Sequence, residues 1–190
     1  GNFSTTILFP CPLVSHCTLR HPHRDRHCRL IPVRIFNSTL RMTENRKPLK
    51  ILQLTSGTHV NGALVHCKLL SSHLASRGHQ VTIGCRKNSW LWKELAEQPV
   101  RVVTCQMKRW PLDNLTRFAN WIGREKFDVL HTHMSSAHMF GIIMNRMTGV
   151  PVAATAHCRH IQPWWRLNNV VIANSESTYR FHRRVNWVPN

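Results

Sequence analysis

Acidic side chains are scarce in this chain. Eight Asp and Glu residues stand against 26 Lys and Arg residues among 190, and the formal net charge is +18 at pH 7. Neither a paired-carboxylate signature nor a Ser-His-Asp grouping is evident, which argues against a two-carboxylate hydrolase. A chain this basic favours polyanionic partners, such as nucleic acid, anionic lipid headgroups or phosphorylated ligands.

Long apolar runs and paired cysteines are also absent. No apolar stretch approaches the roughly 18 residues that a membrane-spanning helix needs, so we expect a soluble or peripheral protein. The cysteine count of 7 is odd and no CxxC spacing occurs. Because no secretory signal is evident either, free thiols in a reducing compartment are favoured over a disulfide framework. We expect a cytoplasmic location, either free or in peripheral contact with the inner face of the membrane.

Residues 1–49 differ from the rest of the chain, because they combine Pro10, Pro12, Pro22 and Pro32 with a His/Arg cluster and show no hydrophobic period. Their side chains could form a basic arm, or a metal-binding tract built from His21, His23, His27 and Cys28. A loop-like tract offers no framework to hold zinc ligands in tetrahedral geometry, so we predict a disordered basic leader.

From residue 50 onward, short apolar strand-like segments alternate with helical patterns. Six strands are predicted, at 51–54, 81–83, 100–104, 128–131, 152–156 and 170–173. Strands that alternate with helices predict an α/β domain over residues 50–190, with an open, mostly parallel sheet and helices on both faces.

Two helices illustrate the pattern. After the first strand, an apolar stripe at helical spacing ends at Gly78, which suits a left-handed helix stop. Pro111 can open a later helix at its first turn, and the expected apolar face of that helix comprises Leu112, Leu115, Phe118 and Ile122.

Four loops leave the carboxyl ends of the predicted strands, where parallel sheets bind their ligands. The first, from Gly57 to Gly62, is suited either to approach a phosphate or simply to make a tight turn. We expect His131 and His133 to point to opposite faces of the fourth strand, with His133 facing the crevice. His157 closes the fifth strand. Asn174 and Ser175 follow the sixth at the start of a helix, whose free amides could bind a ligand, but a helix cap is the favoured role of Ser175.

From about Lys50 to Asn190 the sequence resembles the amino-terminal, acceptor-side domain of a family 4 glycosyltransferase of the GT-B architecture. The motifs occur in the expected order: KILQLTSG, NGALVH with SRGHQVTI, FDVLHTHMSSA, TGVPVAATAH, VVIANSESTYRF and WVPN. The resemblance implies a Rossmann-like fold and sugar transfer from a nucleoside diphosphate sugar to a glycan or lipid-linked acceptor, with retention of configuration. The nucleotide sugar is a substrate, so the resemblance implies no cofactor and no metal.

The resemblance also implies roles for individual residues. Asn61, Gly62 and Ser175 map near the donor phosphates and the interdomain cleft, His133 maps to the reaction centre as the catalytic candidate, and His157 to the acceptor side. Asn61 stands where the common pattern has a glycine, and Leu64 where it often has a glutamate.

The E-x7-E motif of the family's donor-binding domain does not occur in this sequence. We therefore expect the carboxy-terminal donor domain to be absent and the chain alone to be inactive. The alternative from another functional class is a non-catalytic, basic Rossmann-like module that binds nucleotide or nucleic acid. Under the glycosyltransferase interpretation, no specific nucleic acid partner is expected.

Overall fold

The computed structural model describes residues 29–32, 47–96, 98–107 and 111–185. These residues form seven strands, five α-helices and one 3-10 helix. The strands are β1 (Arg29–Pro32), β2 (Lys50–Thr55), β3 (Gln80–Cys85), β4 (Arg101–Thr104), β5 (Val129–His133), β6 (Val152–Ala156) and β7 (Val170–Ala173). The helices are α1 (Gly62–Ser76), α2 (Trp90–Glu94), α3 (Leu112–Glu125), α4 (Ser135–Thr148) and α5 (Glu176–Val185), with the 3-10 helix at Pro163–Leu167.

All the strands belong to one parallel sheet in the order β1-β7-β6-β5-β2-β3-β4. The six predicted strands are all present, and the predicted α/β, Rossmann-like class is confirmed. Because every strand runs the same way, the carboxyl ends of β2, β3, β5 and β6 meet at one edge. That edge is where the loops singled out in the sequence come together.

The seventh strand, β1, comes from the stretch predicted to be a disordered leader. Arg29–Pro32 pairs in parallel with β7 and places Leu30 opposite Val171. The boundary proposed between residues 49 and 50 stays a prediction. The tract His21, His23, His27 and Cys28 lies outside the described residues, as does the final motif at 187–190.

Two larger apolar cores cover the two faces of the sheet, because successive strand residues point to opposite sides. A smaller third core lies along β6 and β7 and includes Trp165. Ile51 of β2 packs with α1 and α2, whereas its neighbour Leu52 packs with α3 and α4. The first core includes Leu64, Cys67, Leu70, Leu74, Val81, Ile83 and Leu91. The second includes Leu54, Ala119, Ile122, Leu130, Phe140 and Met144. Helices on both faces were predicted, and this is confirmed.

Helix α3 begins where the sequence predicts, but its expected apolar face is partly wrong. Pro111 occupies the position before the first helical residue. Ile122 is buried, with Leu115 and Phe118 packed against the same core. Leu112, by contrast, is 81% exposed. It is the first residue of the helix, and it lies beyond the part of α3 that the sheet and α4 cover.

Carboxylates gather at the amino end of the sheet, away from the crevice. Glu125 accepts hydrogen bonds from Lys50 Nζ at 2.7 Å and Arg101 Nη1 at 2.8 Å, which lower the pKa of its carboxyl to about 2. Asp128, just before β5, accepts from the Lys50 backbone N at 2.7 Å. Asp128 therefore lies at the end of the sheet opposite the crevice.

Helix α4 packs closely on the strands that carry the candidate histidines. A Cβ atom at Gly141 would meet the side chain of Thr132 and would lie 3.2 Å from Val152 Cγ2. Thr132 cannot easily move, since its Oγ1 bonds to His138 Nδ1 at 2.8 Å and donates to the Ala153 carbonyl oxygen at 3.2 Å. The absent side chain at Gly141 therefore lets α4 approach β5.

The four described cysteines, Cys67, Cys85, Cys105 and Cys158, are free thiols. Burial raises the pKa of Cys67 and of Cys105 to about 12, so both are protonated at neutral pH. In the part of the chain that the structure describes, no helix is both long and apolar enough to cross a bilayer.

Candidate active site

A cavity of about 510 Å³ opens at the carboxyl edge of the sheet. Its walls are the loop after β2, the first residue after β3, the start of α4, and the loop after β6 with the 3-10 helix. The lining residues are 56–61, Ala63, Arg86, Met134, Ser135, Ser136, His138, Thr155, His157, Cys158, His160 and Trp165. Its position agrees with the expectation that the strand-end loops form the ligand site.

The loop after β2 is held by the side chain that starts α1. Asn61 Oδ1 accepts from the Leu64 backbone N at 3.1 Å, and its Nδ2 donates to the His59 carbonyl oxygen at 3.2 Å. An amide side chain thus caps the helix where the family pattern has a glycine. Asn61 lines the cavity, whereas Gly62 begins α1 behind it and is not among the lining residues.

The expectation that His131 and His133 point to opposite faces of β5 is wrong. Residues two positions apart in a strand share a face, and the two ring centroids lie 4.4 Å from each other. His131 is buried, and its Nε2 bonds to Thr155 Oγ1 at 2.7 Å. Both imidazoles therefore belong to one cluster on one side of the strand.

His133 is fully buried and lies behind the cavity rather than on its wall. Its Nδ1 is 3.1 Å from Nε2 of His157, which is half-buried and lines the cavity. The ligand-facing imidazole is thus that of His157, and the side chain of His133 supports it. A catalytic role for His133 stays a prediction, and this geometry assigns it an indirect one.

A fourth imidazole completes the group. His66, on the first turns of α1, has its ring centroid 5.1 Å from that of His157, edge-on, and 5.8 Å from that of His133. Its Nε2 and that of His133 are buried and have no hydrogen-bond partner among the described residues. We call His66, His131, His133 and His157 the histidine cluster.

Burial keeps the histidine cluster uncharged. Together with a smaller effect of neighbouring imidazoles, it lowers the pKa of His131 to about 3 and that of His157 to about 4. The pKa of His133 lies well below 6.5 for the same reasons, and burial also lowers the pKa of His66. Neutral imidazoles each offer one N–H donor and one lone pair, so the cluster can direct hydrogen bonds but not supply positive charge.

The positive charge at the cavity comes from Arg86, and no carboxylate of the described residues lines the wall. The absence of an opposing negative charge makes this cavity suited to an anion. His138 and Trp165 close its floor, with ring centroids 4.6 Å apart.

Ser175 caps α5 and is not among the lining residues. Its Oγ accepts from the Thr178 backbone N at 3.2 Å, which is the structural role that the sequence left open. The preceding Asn174 donates from Nδ2 to the His157 carbonyl oxygen at 3.4 Å. The assignment of Ser175, Asn61 and Gly62 to donor phosphates remains a prediction.

Sequence reasoning missed His66, Arg86 and Trp165. Arg86 is the first residue after β3, so the strand-end rule that identified the other loops could have found it. His66 and Trp165 carry no comparable signal, because a helix residue and a loop residue reach the site only through packing. Within the described ranges, no group of three or more His, Cys, Asp or Glu side chains is arranged to hold a metal ion.

Solved structures share this fold at low sequence identity. The glycosyltransferase from Rickettsia africae ESF-5 is 18% identical with a TM-score of 0.63. The match covers 75% of this chain and 41% of the Rickettsia protein. Anabaena Alr3699/HepE in complex with UDP and glucose is 14% identical with a TM-score of 0.60, covering 75% and 43%. Acinetobacter baumannii MurG is 14% identical with a TM-score of 0.54, covering 65% and 41%.

This chain therefore spans about two fifths of the length of the solved structures that it matches. A search of curated proteins gave no match. The family model described as Glycosyltransferase Family 4 matches residues 60–190, which is more than half of the chain. The chain therefore belongs to glycosyltransferase family 4.

Proposed function

We propose that this chain forms the acceptor-side portion of an enzyme that moves a sugar from a nucleoside diphosphate sugar to a glycan or lipid-linked acceptor, with retention of configuration. The observation that carries the proposal is the cavity at the carboxyl edge of the sheet. Arg86 and the neutral imidazole of His157 line it, and no carboxylate of the described residues does. A diphosphate would meet a cation and hydrogen-bond donors there, and no repulsive charge.

Two further findings support a nucleotide sugar as the ligand. The family model covers residues 60–190, which include all the residues that line the cavity except 56–59. Among the structures with the same fold, Alr3699/HepE was solved with UDP-glucose. The loop of Asn61, at the amino terminus of α1, would lie beside the phosphates, as anions bind helix amino termini.

Titration of the full chain with UDP and with UDP-glucose tests this proposal. We expect weak, saturable binding, since the family's second domain supplies most of the nucleotide contacts. Substituting Arg86→Met should weaken UDP binding about tenfold, equivalent to about 1.4 kcal/mol, through loss of one charged hydrogen-bonding group.

Arg124→Met is the matched control, because Arg124 is exposed on α3 and its substitution removes the same charge. If both substitutions weakened UDP binding equally, the effect would be due to net charge alone, and a specific site at Arg86 would be contradicted. Salt-sensitive binding to DNA or RNA without UDP binding would instead favour the nucleic-acid module.

We infer that the 190-residue chain does not complete the transfer unaided, because it matches only about two fifths of the enzymes that share its fold. In a UDP-release assay with UDP-glucose and a panel of glycan and lipid-linked acceptors, we expect no product above background. Robust product from this chain would overturn the inference, and the configuration of that product would test retention.

We also propose that the chain contacts an anionic membrane surface through the loop after β6. Ile161 in this loop is 73% exposed, between the exposed Arg159 and Arg166. The loop is fixed in place, since Gln162 Nε2 donates to Ser135 Oγ at 3.0 Å and Trp165 is buried. An apolar tip flanked by arginines suits a bilayer interface with anionic headgroups.

Co-sedimentation with vesicles of phosphatidylglycerol and phosphatidylcholine tests this contact. Ile161→Glu should reduce the bound fraction several-fold, whereas Leu112→Glu, at an equally exposed site on α3, should reduce it less. The proposal would be contradicted if the bound fraction changed with neither substitution and did not depend on the phosphatidylglycerol content.

A further inference from the structure

The hydrogen bond between His133 and His157 determines which nitrogen of His157 a ligand can meet. Nε2 of His157 is engaged by Nδ1 of His133 at 3.1 Å, which leaves Nδ1 of His157 for contacts in the cavity. Both rings are neutral, because burial lowers both pKa values. In a hydrogen bond between two neutral imidazoles, one nitrogen donates and the other accepts, so two arrangements exist.

The buried Nε2 of His133 distinguishes these arrangements, since it has no partner among the described residues. If His157 donated, His133 would accept at Nδ1 and would carry its own proton on Nε2, which would be a buried N–H without an acceptor. If His133 donates from Nδ1, its Nε2 keeps only an unshared lone pair. Orphaned buried N–H groups are the rarer of the two in folded proteins. The second arrangement is therefore favoured.

We infer that His133 is a positioning residue, whose Nδ1–H donates to Nε2 of His157 and holds His157 in the tautomer that carries its proton on Nδ1. His157 then presents an N–H donor, rather than a lone pair, to an oxygen of the ligand. The inference rests on the proposed function for the identity of that ligand, an oxygen-rich nucleotide sugar or its acceptor. It excludes His157 as a general base in the resting protein.

The packing around the pair preserves this geometry. The ring of His66 lies edge-on against His157 with centroids 5.1 Å apart, and the ring of His131 lies 4.4 Å from that of His133. His131 is itself fixed by Thr155, at 2.7 Å from its Nε2. His133 is thus packed against an imidazole that Thr155 anchors.

Long-range ¹H–¹⁵N spectra of the full chain, labelled on its histidines, report the tautomer directly at neutral pH and without any nucleotide. The expected result for His157 is a protonated Nδ1 and an unprotonated Nε2. A protonated Nε2 on His157 in the unsubstituted chain overturns the inference, and this outcome needs no variant that might fail to fold.

Variants separate positioning from mere packing. His133→Phe keeps a planar ring but removes the donor, so His157 should shift towards the Nε2–H form. His73→Phe, on the exposed side of α1, is the control and should leave His157 unchanged.

An unchanged His157 in folded His133→Phe would also overturn the assignment. UDP titration tests the proposed function separately. Absence of UDP binding together with an observed Nδ1–H on His157 would contradict the nucleotide-sugar ligand and support the tautomer assignment.

Discussion

Lowering the pH from 8 to 5 should reduce the free energy of unfolding by about 6 kcal/mol, from His131, His138 and His157 alone. Burial lowers the pKa of His131 and of His138 to about 3, and that of His157 to about 4, from 6.5. The folded chain keeps these imidazoles neutral while the unfolded chain binds protons below pH 6.5. The stability is therefore present above pH 6.5 and lost as the pH falls towards these folded pKa values.

Each of the three histidines contributes about 2 kcal/mol at pH 5. That pH is about 1.5 units below the pKa of a histidine in the unfolded chain, and each unit corresponds to about 1.36 kcal/mol. Their sum approaches the whole stability of an ordinary domain, about 5–15 kcal/mol. The chain should therefore unfold in mild acid, before most carboxylates are protonated. His133, with a pKa lowered in the same direction, adds to the effect.

Urea unfolding followed by circular dichroism at pH 8, 7, 6 and 5 measures this dependence. The matched variant is His131→Gln, whose amide nitrogen can still reach Thr155 Oγ1 but does not titrate. It should lose about 2 kcal/mol less than the unsubstituted chain over the same interval. Stability that stays constant from pH 8 to 5 would contradict the buried, neutral histidine cluster.

Leu130→Ala should destabilise the chain by about 2–5 kcal/mol, as expected when a buried leucine is replaced and a cavity is left. Leu130 is fully buried in β5, in the core beneath α3 and α4. The same strand carries His131 and His133, so collapse around the cavity would also disturb the histidine cluster.

Urea unfolding at pH 8 measures the effect of Leu130→Ala away from the histidine titrations. Leu112→Ala is its control, because Leu112 is 81% exposed, and that change should cost less than about 0.5 kcal/mol. Equal losses in the two variants would contradict the burial of β5 between its helix layers.

The strands and helices were predictable because their signals lie within each element. Apolar runs marked β2 and β5, and Gly149 ends α4 in a left-handed conformation with φ +75°. The parallel order then followed from the alternation of strands and helices, which places the strand-end loops at one edge. This is why the region of the site, if not its details, could be derived from the sequence.

The arrangement within the site could not be derived in the same way. The face shared by His131 and His133 is the exception, because it follows from the two-residue period of a strand. The approach of His66 to His157 depends on how α1 packs on the sheet, which no local period encodes. The exposure of Leu112 likewise depends on where the sheet beneath α3 ends.

We propose that the cavity at the carboxyl edge of the sheet binds the nucleotide part of a sugar donor. Amide and side-chain ¹H–¹⁵N spectra of the full chain during a UDP titration test it most directly. We expect saturable shifts at Gly57, Asn61, Arg86 and the His157 imidazole. Shifts confined to residues that do not line the cavity, such as Phe118 and Trp121, or no shifts at saturating UDP, would contradict it.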